Sequence, residues 1–228
     1  MGLVPADLDH MGAVPADPPQ MAAIVVAGGG ASRLGGANKA ALAGADGRTV
    51  LDRAIGACMP ADPVIVVGPQ SAIRAGLTAQ AGVAMTCEEN PPGSGPARAV
   101  AAGMDALSAC GAPPECVVVL AGDMPDAGEA VALLRVACAS APPSADGVIA
   151  VAAGRRQWLL GVYRHDALGR ACDALPPWRP GQRGESMRSL LGALDLLDVD
   201  VPPGSADDLD TWADVTRAGF TGAGPARP

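Results

Sequence analysis

The sequence predicts one α/β domain, a Rossmann-like, doubly wound sheet whose strands are mostly parallel. Three observations predict it. Short runs of Val, Ile, Leu and Ala alternate with longer helical patterns along most of the chain. Several of those runs are apolar at consecutive positions, as strands covered on both faces must be. Glycine-rich or acidic turns follow the runs directly, which is where an open α/β sheet collects its ligands. At 228 residues one domain suffices. Aromatic residues make up only 2% of the chain, so the core must be built from Ala, Val, Leu and Ile.

The elements follow in order. Residues 1–20, MGLVPADLDHMGAVPADPPQ, hold a near-repeat rich in Pro and Asp. With neither a basic nor an apolar signal region, they read as a disordered leader. Met21, directly before the first apolar run, is a second candidate start. The folded domain is expected over 21–219, with 220–228 as a flexible tail. Strands are expected at 22–27, 63–68, 82–87, 116–121, 147–152, 158–163 and 196–201. Helices are expected from Thr49, a natural N-cap, to Met59, and over 70–80, 96–109, 127–140, 165–174 and 186–194. This βαβ rhythm with right-handed crossovers gives the parallel sheet. The Pro-rich stretch LPPWRPGQRGES (175–186) reads as a long loop of the same domain.

Four turns carry chemistry. After the first strand comes AGGGASRLGGANK, which holds the only lysine of the chain, Lys39, among fifteen arginines. It is not a Walker A loop, because Lys39 is followed by Ala40, and it is not G-x-G-x-x-G, because Arg33 takes the third glycine's place. Gly28, Gly29 and Gly30 let backbone N–H groups close around phosphate oxygens, and Arg33 and Lys39 add two cations. After the third strand comes EENPPGSGPARAV. Glu88, Glu89 and Asn90 stand at the strand end there, and Gly93 and Gly95 allow close approach to a base or sugar. After the fourth strand comes GDMPD, in which Asp123 would point its carboxylate into the crevice. Beside phosphates that position calls for a divalent cation, and Mg²⁺ is the natural ion. Near the end, DDLDTWADV sets Asp208 and Asp210 before a short helix.

Charge and cysteine usage exclude other classes. A net charge of −8 argues against nucleic acid or an anionic membrane as partner. No apolar run reaches the length of a membrane span. The six scattered cysteines show no metal-site spacing and read as small apolar residues in a reducing cytoplasm.

Five segments in this order, VVAGGGASRLGGANKAAL, SGPARAVAAGM, VVVLAGDMPD, LLGVYRHDAL and DDLDTWADV, resemble the molybdenum cofactor guanylyltransferases and related small nucleotidyltransferases of the MobA-like NTP transferase family. The resemblance runs from about Met21 to Gly219. It implies a nucleotide-diphospho-sugar transferase-like fold and transfer of GMP from GTP to molybdopterin, with Mg²⁺ as cofactor. On this resemblance the nucleotide is bound by Val26, Ala27, Gly28, Gly29, Gly30 and Lys39, with Glu89 or Asn90 and Gly95 near base and ribose. Lys39, Arg33 and Asp123 are the implied catalytic residues, and Asp123 and Asp210 the implied metal ligands. The implied partners are a nucleoside triphosphate, a phosphorylated small-molecule acceptor and molybdoenzyme-maturation proteins. Two departures bear on base and acceptor. The usual Gly-Pro-Leu-Ala-Gly reads Gly-Pro-Ala-Arg-Ala, which adds Arg98, and the closing motif reads Asp-Leu-Asp-Thr-Trp-Ala-Asp. The alternatives are cytidylyl or guanylyl transfer to another phosphorylated acceptor such as a phospholactate, and a nucleotide-binding regulatory module without turnover. A dinucleotide-dependent oxidoreductase fails on the missing third glycine.

Overall fold

The computed structural model describes residues 19–28, 34, 37–78, 85–88, 90–179, 182 and 184–221. The leader to residue 18, the loop glycines 29 and 30, Arg33, Glu89 and the tail from 222 lie outside the described residues. In chain order the elements are β1 (Met21–Val26), a 3-10 turn (Lys39–Ala41), β2 (Ala43–Gly44), α1 (Val50–Cys58), β3 (Val64–Val67) and α2 (Gln70–Gly76). There follow β4 (Met85–Cys87), α3 (Pro96–Ser108), β5 (Cys116–Ala121), α4 (Gly128–Ser140), β6 (Gly147–Ala152) and β7 (Arg155–Arg164). The last are α5 (His165–Asp173), α6 (Met187–Leu191), β8 (Leu196–Asp200), α7 (Trp212–Arg217) and β9 (Phe220–Thr221).

Seven strands form the main sheet in the order β4-β3-β1-β5-β7-β6-β8. β4, β3, β1 and β5 run parallel, and so do β6 and β8. β7 is antiparallel to both neighbours. The reason is local. Ala153 and Gly154 alone join β6 to β7, both at positive φ (49° and 72°). A two-residue turn of that conformation returns the chain as a hairpin and leaves no length for a crossover helix.

The consecutive apolar residues of the strands are divided between two cores. From β1, Ala23 and Val25 face the layer of α1, α2 and α4, with Leu51, Ile55, Ile73, Val131 and Leu134. Ala22 and Ile24 face the layer of α3, α5 and α6, with Val100, Met104, Leu168 and Leu190. Both faces are buried, so the period-2 polarity of an exposed sheet is missing. Thr49 caps α1 as expected, in a box with Asp52. The buried Asp52 carboxylate is fully used, because it accepts the N–H groups of Thr49 and Thr78, both at 3.1 Å. All six cysteines are unpaired, three of them buried and Cys110 exposed. Among the described residues no helix is long and apolar enough to cross a membrane.

The end of the chain corrects the expected tail boundary. Phe220 and Thr221 pair antiparallel with β2, and Phe220 is buried. A third small core gathers Leu34 from the glycine loop, Leu42, Val50, Leu209, Val215 and Phe220. Arg53 lies over the Phe220 ring, 4.9 Å from its centre. Two-residue strands carry no periodic signal, so the sequence did not mark β2 or β9.

Phe220→Ala is therefore expected to destabilise the fold by about 3 kcal/mol, the scale of truncating a buried aromatic ring. That corresponds to a fall in melting temperature of roughly 6–12 °C for a chain of this size, measurable by thermal denaturation.

Candidate active site

β1 and β5 are neighbours, yet the chain reaches β5 only after going out to β4 and crossing back. The strand order therefore reverses between β1 and β5, and their carboxyl ends open the crevice where such sheets bind ligands. Two glycines let the strand ends close up there. The Gly122 N–H donates to the Val26 carbonyl at 2.8 Å, and a Cβ at Gly122 would stand 3.2 Å from the Ala27 Cα. A Cβ at Gly68 would meet the Ala27 carbonyl carbon at 2.9 Å. Any larger residue at 68 would push backbone against backbone. Gly28 is not needed for space in this sense, since nothing lies closer than 3.8 Å to its Cβ position.

The resulting cleft has a volume of about 850 Å³. Of the residues singled out in the sequence, Val26, Ala27, Gly28, Lys39, Gly95 and Asp123 line it. Gly95 begins α3 at φ 101° against the Glu185 backbone, a position closed to a side chain. Asn90 stands outside the lining and is exposed, and Glu88 accepts the Gln70 N–H at the start of α2. Arg98 does not serve as an added cation in the cleft wall: its guanidinium donates to the Pro176 carbonyl and ties the Pro-rich loop to α3. The sequence reading missed one wall, formed by Pro69, Ser71 and Ala72 after β3. The available signal was Gly68-Pro69 directly behind a buried strand.

Lys39 is set by its own turn. The Asn38 side chain accepts the Ala40 N–H at 3.2 Å and donates to the Ala72 carbonyl at 3.0 Å. On the other side Gly76 lets the end of α2 lie against the turn, where a Cβ would come within 2.8 Å of the Ala40 carbonyl oxygen. From this fixed base the Lys39 ammonium reaches Asp123 Oδ2 at 3.0 Å and Asp210 Oδ1 at 2.7 Å. The lysine side chain is only 12% exposed, its partners 25% and 40%. Burial works against the ammonium. The hydrogen bond it donates to Asp210 and the charge of Asp123 together outweigh it and raise the Lys39 pKa above the ordinary lysine value.

Asp210 is delivered by the C-terminal segment. The Leu209 N–H donates to the Asp123 carbonyl at 3.2 Å, while its side chain is buried in the third core. Asp208 precedes it, and partial desolvation with the charges of Asp210 and Asp123 raises its carboxyl above the usual range, against Lys39. Among the described residues no three Asp, Glu, His or Cys side chains gather as a metal cluster. Asp123 and Asp210 do converge on one cation, and two carboxylates completed by phosphate oxygens make a hard, all-oxygen set suited to Mg²⁺.

Residues 23–198 match the MobA-like NTP transferase domain. Among solved structures, the chain is similar to a nucleotidyl transferase from Methanothermobacter (Mth528), at 20% identity and a TM-score of 0.65 over 88% of this chain and 96% of that one. It is similar to Rv0371c from Mycobacterium tuberculosis, at 24% identity and TM-score 0.61 over 87% and 97% of the two chains. It is also similar to the 4-diphosphocytidyl-2C-methyl-D-erythritol synthase of Anaerococcus prevotii, at 14% identity and TM-score 0.60 over 89% and 95%. No curated protein matches in sequence. At these identities the solved structures establish the fold alone, a mostly parallel sheet of the nucleotide-diphospho-sugar transferase type.

The raised Asp208 pKa carries a sign. A carboxyl that holds its proton more tightly folded than unfolded favours folding below the ordinary carboxylate pKa and loses that contribution as pH rises through the folded value. Asp208→Asn should therefore raise the melting temperature slightly at neutral pH. The gain should shrink as pH falls through the carboxylate range, which paired melts from pH 7 down to pH 4 will show.

Proposed function

We propose that this chain, which belongs to the MobA-like NTP transferase family, transfers GMP from GTP to the phosphate of a molybdopterin-type acceptor and releases pyrophosphate. Family membership makes it a nucleotidyltransferase; the base, the acceptor and the metal are the proposal. One observation supports the reading above the rest. A lysine and two aspartates meet at the carboxyl ends of β1 and β5, beside a cleft large enough for a nucleoside triphosphate and an acceptor phosphate. A regulatory module without turnover would have no need to keep that arrangement. The choice of GTP and molybdopterin rests on the five motifs and their order. Six unpaired cysteines and a reaction fed by GTP suit the cytoplasm, where the product would pass to molybdoenzyme-maturation proteins.

In this reaction an acceptor phosphate oxygen attacks the α-phosphorus in line, and the bond from that phosphorus to the bridging oxygen breaks. The pyrophosphate leaves with the electron pair. Most of the work is positioning and charge stabilisation. Val26, Ala27 and Gly28 line the cleft from the end of β1, and Gly95 lets the start of α3 pack against residue 185 beside it. Lys39 supplies a compact charge to the phosphates from a base that does not move. Arg33, Gly29, Gly30 and Glu89 keep the nucleotide-contacting roles that the motifs imply. Asp123 and Asp210 would hold Mg²⁺, which neutralises phosphate charge when bound.

The deciding experiment is pyrophosphate release across GTP, CTP, ATP and UTP with molybdopterin and with other phosphorylated acceptors. Turnover of GTP with molybdopterin is expected, and preference for CTP with a different acceptor would overturn the assignment. Asp123→Asn should keep the fold and remove most Mg²⁺-dependent turnover, because a neutral amide cannot balance the metal. Turnover at the wild-type rate would refute that role. Lys39→Arg should lower kcat on the order of 10²-fold, the scale of losing one preorganised donor. Nucleotide affinity should change less, since backbone groups also hold the ground state. Steady-state kinetics and nucleotide binding on this one variant separate the two effects.

A further inference from the structure

Two carboxylates gathered around one cation define a single cation position, and in this structure Lys39 fills it. Its ammonium lies 3.0 Å from Asp123 Oδ2 and 2.7 Å from Asp210 Oδ1. A divalent ion held by the same two oxygens would overlap the ammonium. We propose that Lys39 competes directly with the divalent cation for Asp123 and Asp210, so that the metal enters only together with the nucleotide, whose phosphates draw the ammonium away. The inference rests on the reading of these two aspartates as the metal ligands.

Three features carry it. The partners come from distant points of the chain, residues 39, 123 and 210, so the contact is built by the fold and is no neighbour effect. The backbone under Lys39 is fixed by Asn38 and by the close approach of Gly76, so an exchange of partners falls to the side chain. A lysine stem has rotatable bonds and a point charge at its tip, which suits it to change partners over a few ångströms; a planar guanidinium is less free to do so. The polyphosphate of a nucleotide bound in the cleft that Lys39 lines would be the stronger anion. Metal and nucleotide then reinforce each other's binding, as linkage requires when each removes an obstacle to the other.

The test is binding of Mn²⁺ alone, followed by its electron paramagnetic resonance signal, without nucleotide. Wild-type protein is compared with Lys39→Met, with Lys39→Gln as a second uncharged variant should the first not fold, and with the double variant that adds Asp123→Asn. Removal of a partly buried competing charge should tighten Mn²⁺ binding by about tenfold or more, and the double variant should lose that gain. If the lysine variants bind Mn²⁺ no more tightly than wild type while the double variant binds it more weakly still, the competition is refuted and the aspartates remain the metal ligands. If the lysine and double variants bind Mn²⁺ alike, Asp123 is not a metal ligand, and both this inference and the metal assignment beneath it fall.

Discussion

The contact of the Lys39 ammonium with Asp123 and Asp210 sets the terms for much of the fold around it, because two carboxylates held near each other repel unless a cation stands between them. With the lysine mostly buried and its acids partly solvated, the cost of desolvation offsets much of the attraction, so these ion pairs add little net stability. Their consequence is spatial. Three parts of the chain have to arrive at one point, and each arrives by a different device. Lys39 comes on a single turn pinned by Asn38, Asp123 comes off the end of a buried central strand, and Asp210 comes on the segment that leads into α7. The third device explains the small core of Leu34, Leu209, Val215 and Phe220. That core adds little volume to the domain, but it ties the glycine loop, the acid-bearing segment and the closing strand pair into one unit.

The cleft beside this contact owes its shape to missing side chains. Gly68 brings the end of β3 against Ala27 at a distance no Cβ would permit, Gly122 brings β5 there at a distance a Cβ would fill tightly, and Gly95 sets α3 against residue 185 where no Cβ fits. Walls made of backbone and small side chains have few rotatable bonds to order. They present N–H and carbonyl groups to a ligand without the entropy of ordering long side chains. Among the described residues, charge enters at one rim, where Lys39 and the aspartates stand. On the proposed reading a polyphosphate would be met by Lys39 at one end, and its nucleoside by small apolar surfaces at the other.

Much of this was legible in the sequence. The central strands read as buried because Ala22, Ala23, Ile24 and Val25 are apolar without alternation, which only a sheet covered on both faces allows. Lys39, Asp123 and Asp210 read as a set through the family resemblance of the motifs that carry them, since the acidic turn at Asp208 and Asp210 taken alone reads as a solvated helix start. What stayed hidden was short or non-local. β2 and β9 are two residues each and exist through their pairing. The antiparallel course of β7 depends on a two-residue turn whose second residue alone is glycine. Arg98 read as a cation for the nucleotide, but its partner, the Pro176 carbonyl, lies 78 residues away and carries no sequence signature. The Pro69 wall was passed over because it bears no charge, although its place behind β3 is as telling as that of Asp123 behind β5.

The choice of lysine at position 39 can now be argued from geometry. The chain uses arginine at its fifteen other basic positions, so long-range charge alone would not have kept a lysine here. The site asks for a donor that meets two carboxylates from different segments, at 2.7 and 3.0 Å, with a side chain 12% exposed. A guanidinium prefers to engage one carboxylate with two parallel bonds in its own plane, and its larger head would have to displace one aspartate to do so. An ammonium has no such plane. It directs three donors tetrahedrally, so it can bridge two partners and still turn a third donor toward the cleft. On the proposed reading that third donor would be the first to meet an incoming phosphate, before the ammonium leaves the aspartates; a guanidinium has donors to spare, but they are fixed in one plane.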